Sequence, residues 1–198
     1  NNKLAIKLLV RAAQKNDCHA QMRLAESFYY GDGVTKNKRK AVLWMNKAAL
    51  NGDKDAQYYL GRSYRYGEGI KSDAEQAVFW FKKAVRQNDP KAQTALGECY
   101  EMGTGVRKSY KMALNLYTQA ANQNDPYAQY DLGLLYYHGI GIPKDYEKSL
   151  DWLEKSFKNG DKHSKILIDK IKSQGKEFRE FPAEFPASSR KFPGRVRN

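Results

Sequence analysis

The chain has 198 residues, 41% of them hydrophobic and 13% aromatic, and a formal net charge of +13. That apolar content excludes a chain disordered throughout, and no apolar run approaches the roughly 20 residues that a membrane-spanning helix needs. The charge invites nucleic acid, but it lies mainly at the two ends: +4 over residues 1–16, then +3, +2, +1 and −2 over 17–52, 53–88, 89–124 and 125–160, +1 over 161–171 and +4 beyond.

In chain order, residues 1–16 carry Ala5, Leu8 and Ala12 at helical spacing and read as a lone N-terminal helix, the second half of a repeat whose first half is not in the chain. Residues 17–52 form the first full unit. Asp17 can cap a helix start, because its carboxylate accepts from exposed N–H groups and suits the positive end of the helix dipole. Ala20, Leu24, Ala25 and Phe28 then follow on one face, and the helix is expected to end near Tyr30, where Gly31 can supply a left-handed cap. After Gly31-Asp32-Gly33 and Val34 comes a polar loop, then a second helix with the stripe Ala41, Trp44 and Ala48.

The same sentence is written three more times. Residues 53–88 hold Asp53, Ala56, Leu60, Gly61, Tyr64, Gly67-Glu68-Gly69, Ile70, Ala77, Trp80 and Ala84. Residues 89–124 hold Asp89-Pro90, Ala92, Leu96, Gly97, Tyr100, an end near Met102, Gly103-Thr104-Gly105, Val106, Ala113, Leu116 and Ala120. Residues 125–160 hold Asp125-Pro126, Ala128, Leu132, Gly133, Tyr136, an end near His138, Gly139-Ile140-Gly141, Ile142, Ser149, Trp152 and Ser156. Proline suits a first helical position. Serine in place of both alanines suggests that the last unit is less tightly buried. Residues 161–175, opened by Asp161 and carrying Ile168 at the leucine position, read as a C-terminal capping helix.

From 176 to 198 the pattern stops, and three Phe-Pro steps, Phe181-Pro182, Phe185-Pro186 and Phe192-Pro193, impose extended backbone. Such a tail is expected to dock on a solenoid surface, its own or a neighbour's, which leaves room for tail-mediated self-association.

A period of 36 residues held four times over marks a stack of supersecondary units, each burying its apolar face only against its neighbours. Ala56-Gln57-Tyr58-Tyr59-Leu60-Gly61, Tyr64, Gly67-Glu68-Gly69-Ile70, Ala77, Trp80-Phe81 and Lys83-Ala84 resemble the Sel1-like repeat, a relative of the tetratricopeptide repeat with a longer turn. The resemblance covers about residues 17–160. It implies an all-α, right-handed α/α superhelix of four helix-turn-helix repeats with a half-repeat at each end, first helices lining a concave surface and second helices outside. It also implies a role in protein interaction: similar proteins serve in membrane-protein degradation complexes, signalling, and bacterial contact with hosts. The secreted cysteine-rich branch of the family places paired cysteines in every repeat, and this chain departs from it.

Cys18 and Cys99 take different positions in their units and read as free buried thiols, compatible with a reducing compartment. No signal peptide is legible near the start. Because the chain opens on Asn1 inside a half-repeat, it reads as a fragment or processed product; the compartment reading leans cytoplasmic, with an exported bacterial protein as the alternative.

No catalytic, cofactor-binding or metal site is expected. The Gly-x-Gly turns follow helices, whereas a nucleotide fingerprint needs a preceding strand and a helix start. His19, His138 and His163 show no i, i+4 pairing, and neither cysteine lies in a C-x-x-C. The expected partner is a protein or peptide, held by the first-helix positions Arg23, Tyr29, Tyr30, Tyr59, Arg62, Arg65, Tyr66, Tyr127, Tyr137 and His138. Tyrosine and arginine offer large contact area with a directed polar tip; the alternative, for Tyr58, Tyr130 and Tyr137 first of all, is packing between adjacent first helices. Arg62 and Arg65, one turn apart beside Tyr59 and Tyr66, suit a carboxylate or phosphate on a peptide. The alternative function is a basic RNA- or membrane-surface-binding module, and the third an enzyme, which would need a polar site converged in the groove; nucleic acid is disfavoured because basic charge alone is permissive.

Overall fold

The computed structural model describes residues 2–177, with side chains described for 4–173. The expectation that the tail docks on a solenoid lies outside these residues. Among them, ten helices and no strand occur: α1 (Asn2–Gln14), α2 (Cys18–Tyr30), α3 (Lys38–Leu50), α4 (Lys54–Tyr66), α5 (Ala74–Arg86), α6 (Pro90–Met102), α7 (Tyr110–Asn122), α8 (Pro126–His138), α9 (Tyr146–Lys158) and α10 (His163–Glu177). Each packs chiefly on the helix before and after it in sequence, so the chain is an all-α superhelix of antiparallel pairs.

The helix boundaries have local causes. Asp17, Asp53, Asp89 and Asp125 accept from the backbone N–H of Ala20, Ala56, Ala92 and Ala128 at 2.7–2.9 Å. The second helices are capped the same way, by Asn37, Asp73, Ser109 and Asp145, also 36 residues apart. Gly31, Gly67, Gly103 and Gly139 end the first helices at φ between 67° and 88°, the left-handed region in which glycine carries no steric cost.

Within a unit, the two helices touch through a small residue facing a large one. A side chain added at Gly61, Gly97 or Gly133 would stand 2.6 Å from Phe81, Tyr117 or Leu153 of the following helix. Phe81, Tyr117 and Leu153 are fully buried, one position beyond the Trp80, Leu116 and Trp152 expected to form the stripe; Trp44 and Trp152 are only half-buried. The first unit has Ala25 opposite the slimmer Met45, both in one cluster. Volume is thus conserved across the pair, as close-packed interiors require.

Between units, the second glycine of each turn does the packing. A side chain on Gly69, Gly105 or Gly141 would collide with Lys38, Ala74 or Tyr110, the first residues of the preceding unit's second helix or its immediate neighbour. A second tie is polar. Buried Gln21, Gln57 and Gln129 donate to the carbonyls of Ala13, Ala49 and Ala121 in the preceding unit. Their oxygens accept from Asn51, Gln87 and Asn159 at the ends of their own unit's second helices. Gln93 varies the theme, donating to Asn88 while accepting from Gln123. Each glutamine therefore ties three helices together and leaves no buried amide group stranded.

The last unit is not loosely buried, contrary to expectation. Ser149 and Ser156 are fully buried. Ser149 donates to the Gly133 carbonyl at 2.8 Å and Ser156 to the Pro126 carbonyl at 2.7 Å, so the hydroxyls replace apolar contact with hydrogen bonds instead of water. Ser164 lies 2.8 Å from both the Ser156 hydroxyl and the Asp161 carboxylate, and its one hydroxyl proton is donated to one of the two, fastening α10 to α9.

Candidate functional site

Two recesses open on the face built by successive first helices. The smaller, about 60 Å³, is lined by Met22, Glu26, Tyr29 and Tyr30 of α2, Met45 of α3, Tyr59, Arg62 and Ser63 of α4, and Glu68 of the following turn. The larger, about 400 Å³, is walled by Tyr58, Tyr59, Arg62, Arg65 and Tyr66 of α4, Lys91, Thr94, Ala95 and Glu98 of α6, and Asp125, Pro126 and Tyr127 at the start of α8. Tyr59 and Arg62 belong to both, so the two recesses adjoin along the face of four consecutive units.

Of the expected binding residues, Tyr29, Tyr30, Tyr59, Arg62, Arg65, Tyr66 and Tyr127 therefore come together. Tyr30, Tyr66 and Tyr127 are exposed, whereas Tyr29, Tyr59, Arg62 and Arg65 are half-buried. Arg23, Tyr137 and His138 line neither recess. Arg23 is exposed and paired with Glu26 at 3.1 Å. Tyr137 packs against Leu153, Ile168 and Ile171 in the C-terminal core cluster, its ring 5.5 Å from that of Tyr146 and 4.8 Å from His138.

The two arginines differ in a way their spacing conceals. Arg65 donates to Glu98 of the next unit at 2.6 Å, with the two side chains only 11% and 18% exposed. Burial opposes the arginine's charge, but the Glu98 carboxylate more than offsets it and lifts the pKa above its usual value. Arg62 has no hydrogen bond or ion pair to a described residue; its Nε is buried without an acceptor, and the guanidinium lies 5.9 Å from the ring centres of both Tyr58 and Tyr66.

A second charged group closes the upper end. Glu68 accepts from the Tyr29 hydroxyl and from Lys38 Nζ, each at 2.9 Å. Burial pushes its carboxyl up, yet the bonds from Lys38 and Tyr29 win and hold it below the usual carboxylate range. The Tyr29 phenol is raised by burial and by donating to that carboxylate. Cys99, next to Glu98 on α6, is a thiol in the core whose pKa burial pushes up to about 11; Cys18 is only half-buried, not buried as expected.

Glu68, Glu98, Thr94 and Asp125 are wall residues outside the set of ten expected to hold a partner. Thr94 donates to Asp125 at 3.0 Å across two units, a contact that only the stacking creates. Among the described residues, no group of three or more His, Cys, Asp and Glu side chains could hold a metal ion, and no helix is long and apolar enough to cross a membrane.

The comparisons with known proteins agree with this architecture. The family model described as Sel1 repeat matches five times, over residues 1–17, 18–53, 54–89, 90–125 and 126–161. No curated protein matches the chain. Among solved structures, a protective antigen of uropathogenic Escherichia coli with an SLR fold is 32% identical, with a TM-score of 0.81, over 86% of this chain and 36% of that one. A Sel1 repeat protein from Oxalobacter formigenes is also 32% identical, with a TM-score of 0.77, over 81% of this chain and 65% of its own. Cysteine rich protein B of Helicobacter pylori is 26% identical over 64% of this chain and 91% of that one, with a TM-score of 0.51. The chain thus spans about a third of the first relative and just under two thirds of the second. Proteins built on these repeats are generally interaction scaffolds without catalytic activity. With five repeat matches in unbroken succession on a stack of helix pairs, this chain belongs to the Sel1 repeat family.

Proposed function

We propose that the chain is a non-catalytic adapter that holds an extended protein segment along the face built by α2, α4, α6 and α8. One observation carries the reading: the two recesses share Tyr59 and Arg62, so tyrosine and arginine side chains line adjoining hollows across four units. Large rings with polar tips make contact area at little entropic cost, which suits recognition of a peptide more than chemistry on a small substrate. The partner class is a protein, and Tyr30, Tyr59, Tyr66 and Tyr127 are the contact residues we assign first.

The test is selection of short random peptides on the intact chain, with a Tyr59→Ala, Tyr127→Ala double variant as the comparison. Peptides that bind the parent chain and lose affinity about tenfold or more on the variant support the adapter reading. Selection of none that depend on these tyrosines rejects it. A labelled single-stranded RNA decides the alternative: affinity that falls steeply between about 50 and 200 mM salt and is indifferent to the double variant would establish a basic RNA-binding module instead.

A further inference from the structure

We infer that the guest of this face carries a single carboxylate, an Asp or Glu side chain of a partner protein, and that Arg62 receives it. The inference rests on the adapter reading above and names the chemistry of its guest.

The charge bookkeeping of the site isolates Arg62. Arg65 is matched by Glu98, and Lys38 by Glu68. Arg62, lying between them where the two recesses meet, has no hydrogen bond or ion pair to a described residue and a buried Nε without an acceptor. A half-buried guanidinium left so forgoes the charge-assisted bonds that repay its desolvation. Its place between the Tyr58 and Tyr66 rings, 5.9 Å from each centre, fixes where the planar fork can be offered. A segment running from one recess to the other passes this fork.

The walls decide which anion fits. Glu26 and Glu68 line the upper recess, and Glu98 and Asp125 the lower, with Lys91 at its edge. With Glu26, Glu68 and Glu98 matched by Arg23, Lys38 and Arg65, and Asp125 offset by Lys91, one positive charge is left to meet, which a lone carboxylate balances and a doubly charged phosphate exceeds. The same walls disfavour a run of acidic residues. A guest with one acid flanked by apolar or aromatic groups matches both the arginine and the tyrosines.

The experiment uses the peptides selected above from short random sequences. On the parent chain, the selected set should fix Asp or Glu at one position between apolar or aromatic neighbours. A synthetic copy of one such peptide with that residue changed to Gln or Asn should bind the parent chain about tenfold more weakly, the loss expected of one charge-assisted bond. On Arg62→Gln, the acidic and amide peptides should bind equally; on Arg62→Lys, which keeps charge but loses the fork, the preference should return in part. Circular dichroism of both variants confirms the helical fold, and Arg62→Lys keeps the test valid should Arg62→Gln unfold. Groove-dependent peptides without a fixed acid, or an acid preference that survives Arg62→Gln, overturn this inference while leaving the adapter reading intact. A phosphoserine copy that binds more tightly than the acidic peptide also overturns it. Absence of any groove-dependent peptide sinks both.

Discussion

The Tyr117 ring fills the space that a side chain on Gly97 would need, with Cε1 2.6 Å from where that Cβ would stand. Tyr117 is fully buried and donates to Glu101 at 2.8 Å, so the ring cannot swing aside without leaving a polar group unpaired. Gly97→Ala should cost about 1–3 kcal/mol through overpacking. Urea denaturation measures it, and a cost of Gly97→Ala that is just as large in a Tyr117→Leu background would shift the cause away from ring crowding.

Arg62 and Arg65 should respond oppositely to loss of charge. Arg65→Met strips Glu98 of its ion-pair partner in a largely buried setting and should destabilise by about 2–3 kcal/mol. Arg62→Met removes a guanidinium without hydrogen bonds to described residues while keeping an apolar stem against Tyr58 and Tyr66, and should leave stability unchanged or raised. Paired thermal melts decide; equal destabilisation by both would mean that Arg62 serves the fold.

Gln57 offers a test of the polar tie between units. Gln57→Leu takes one donor from the Ala49 carbonyl, which keeps the Gly52 N–H, and takes from Gln87 one of its acceptors. The expected loss is about 1–3 kcal/mol. Hydrogen exchange should show it on both sides of the junction, in α3 and in α5, because the glutamine bridges them; exchange changed in α4 alone would refute the bridging role.

Acid should weaken the first junction through Glu68. Its carboxyl titrates lower in the folded chain than in the unfolded one, so the folded state binds fewer protons there. That contribution is complete above the unfolded value of about 4.3 and is lost as pH falls through the lower folded value. Asp89 runs the other way: burial raises its pKa, giving stability that is present below the unfolded value and lost as pH rises through the folded one. Comparing the chain with Glu68→Gln cancels the Asp89 contribution. The difference in unfolding free energy should shrink between about pH 5 and pH 3, and a difference independent of pH would contradict the assignment.

Period, caps and turns were legible in the chain because they are local. Asp53 bonds three residues ahead, and Gly67 ends a helix by its own backbone, so both announce themselves by type and position. Residues that act across units were not. Gln57 reads by composition as a surface residue, yet it is buried at the junction; its recurrence after alanine at 21, 57, 93 and 129 was the available signal. The Arg65 to Glu98 pair spans 33 residues and exists only once two units are stacked, so spacing within α4 made Arg62 and Arg65 look equivalent. Ser149 and Ser156 misled for a related reason: a hydroxyl suggests water until a carbonyl such as that of Gly133 is brought within reach. Tyr137, grouped by type with the other tyrosines, belongs to the C-terminal core cluster because α10 lies beside it.

The second glycine of each turn, at 69, 105 and 141, sets how closely one unit can lean on the start of the preceding unit's second helix. These contacts act as the spacers of a curved ruler: thicken one and the distance between successive units changes, and with it the width of the recesses between their first helices. The width of the face proposed to bind a peptide is therefore set in part at glycines that do not line it, so substitutions there could retune the fit while every lining residue stays the same.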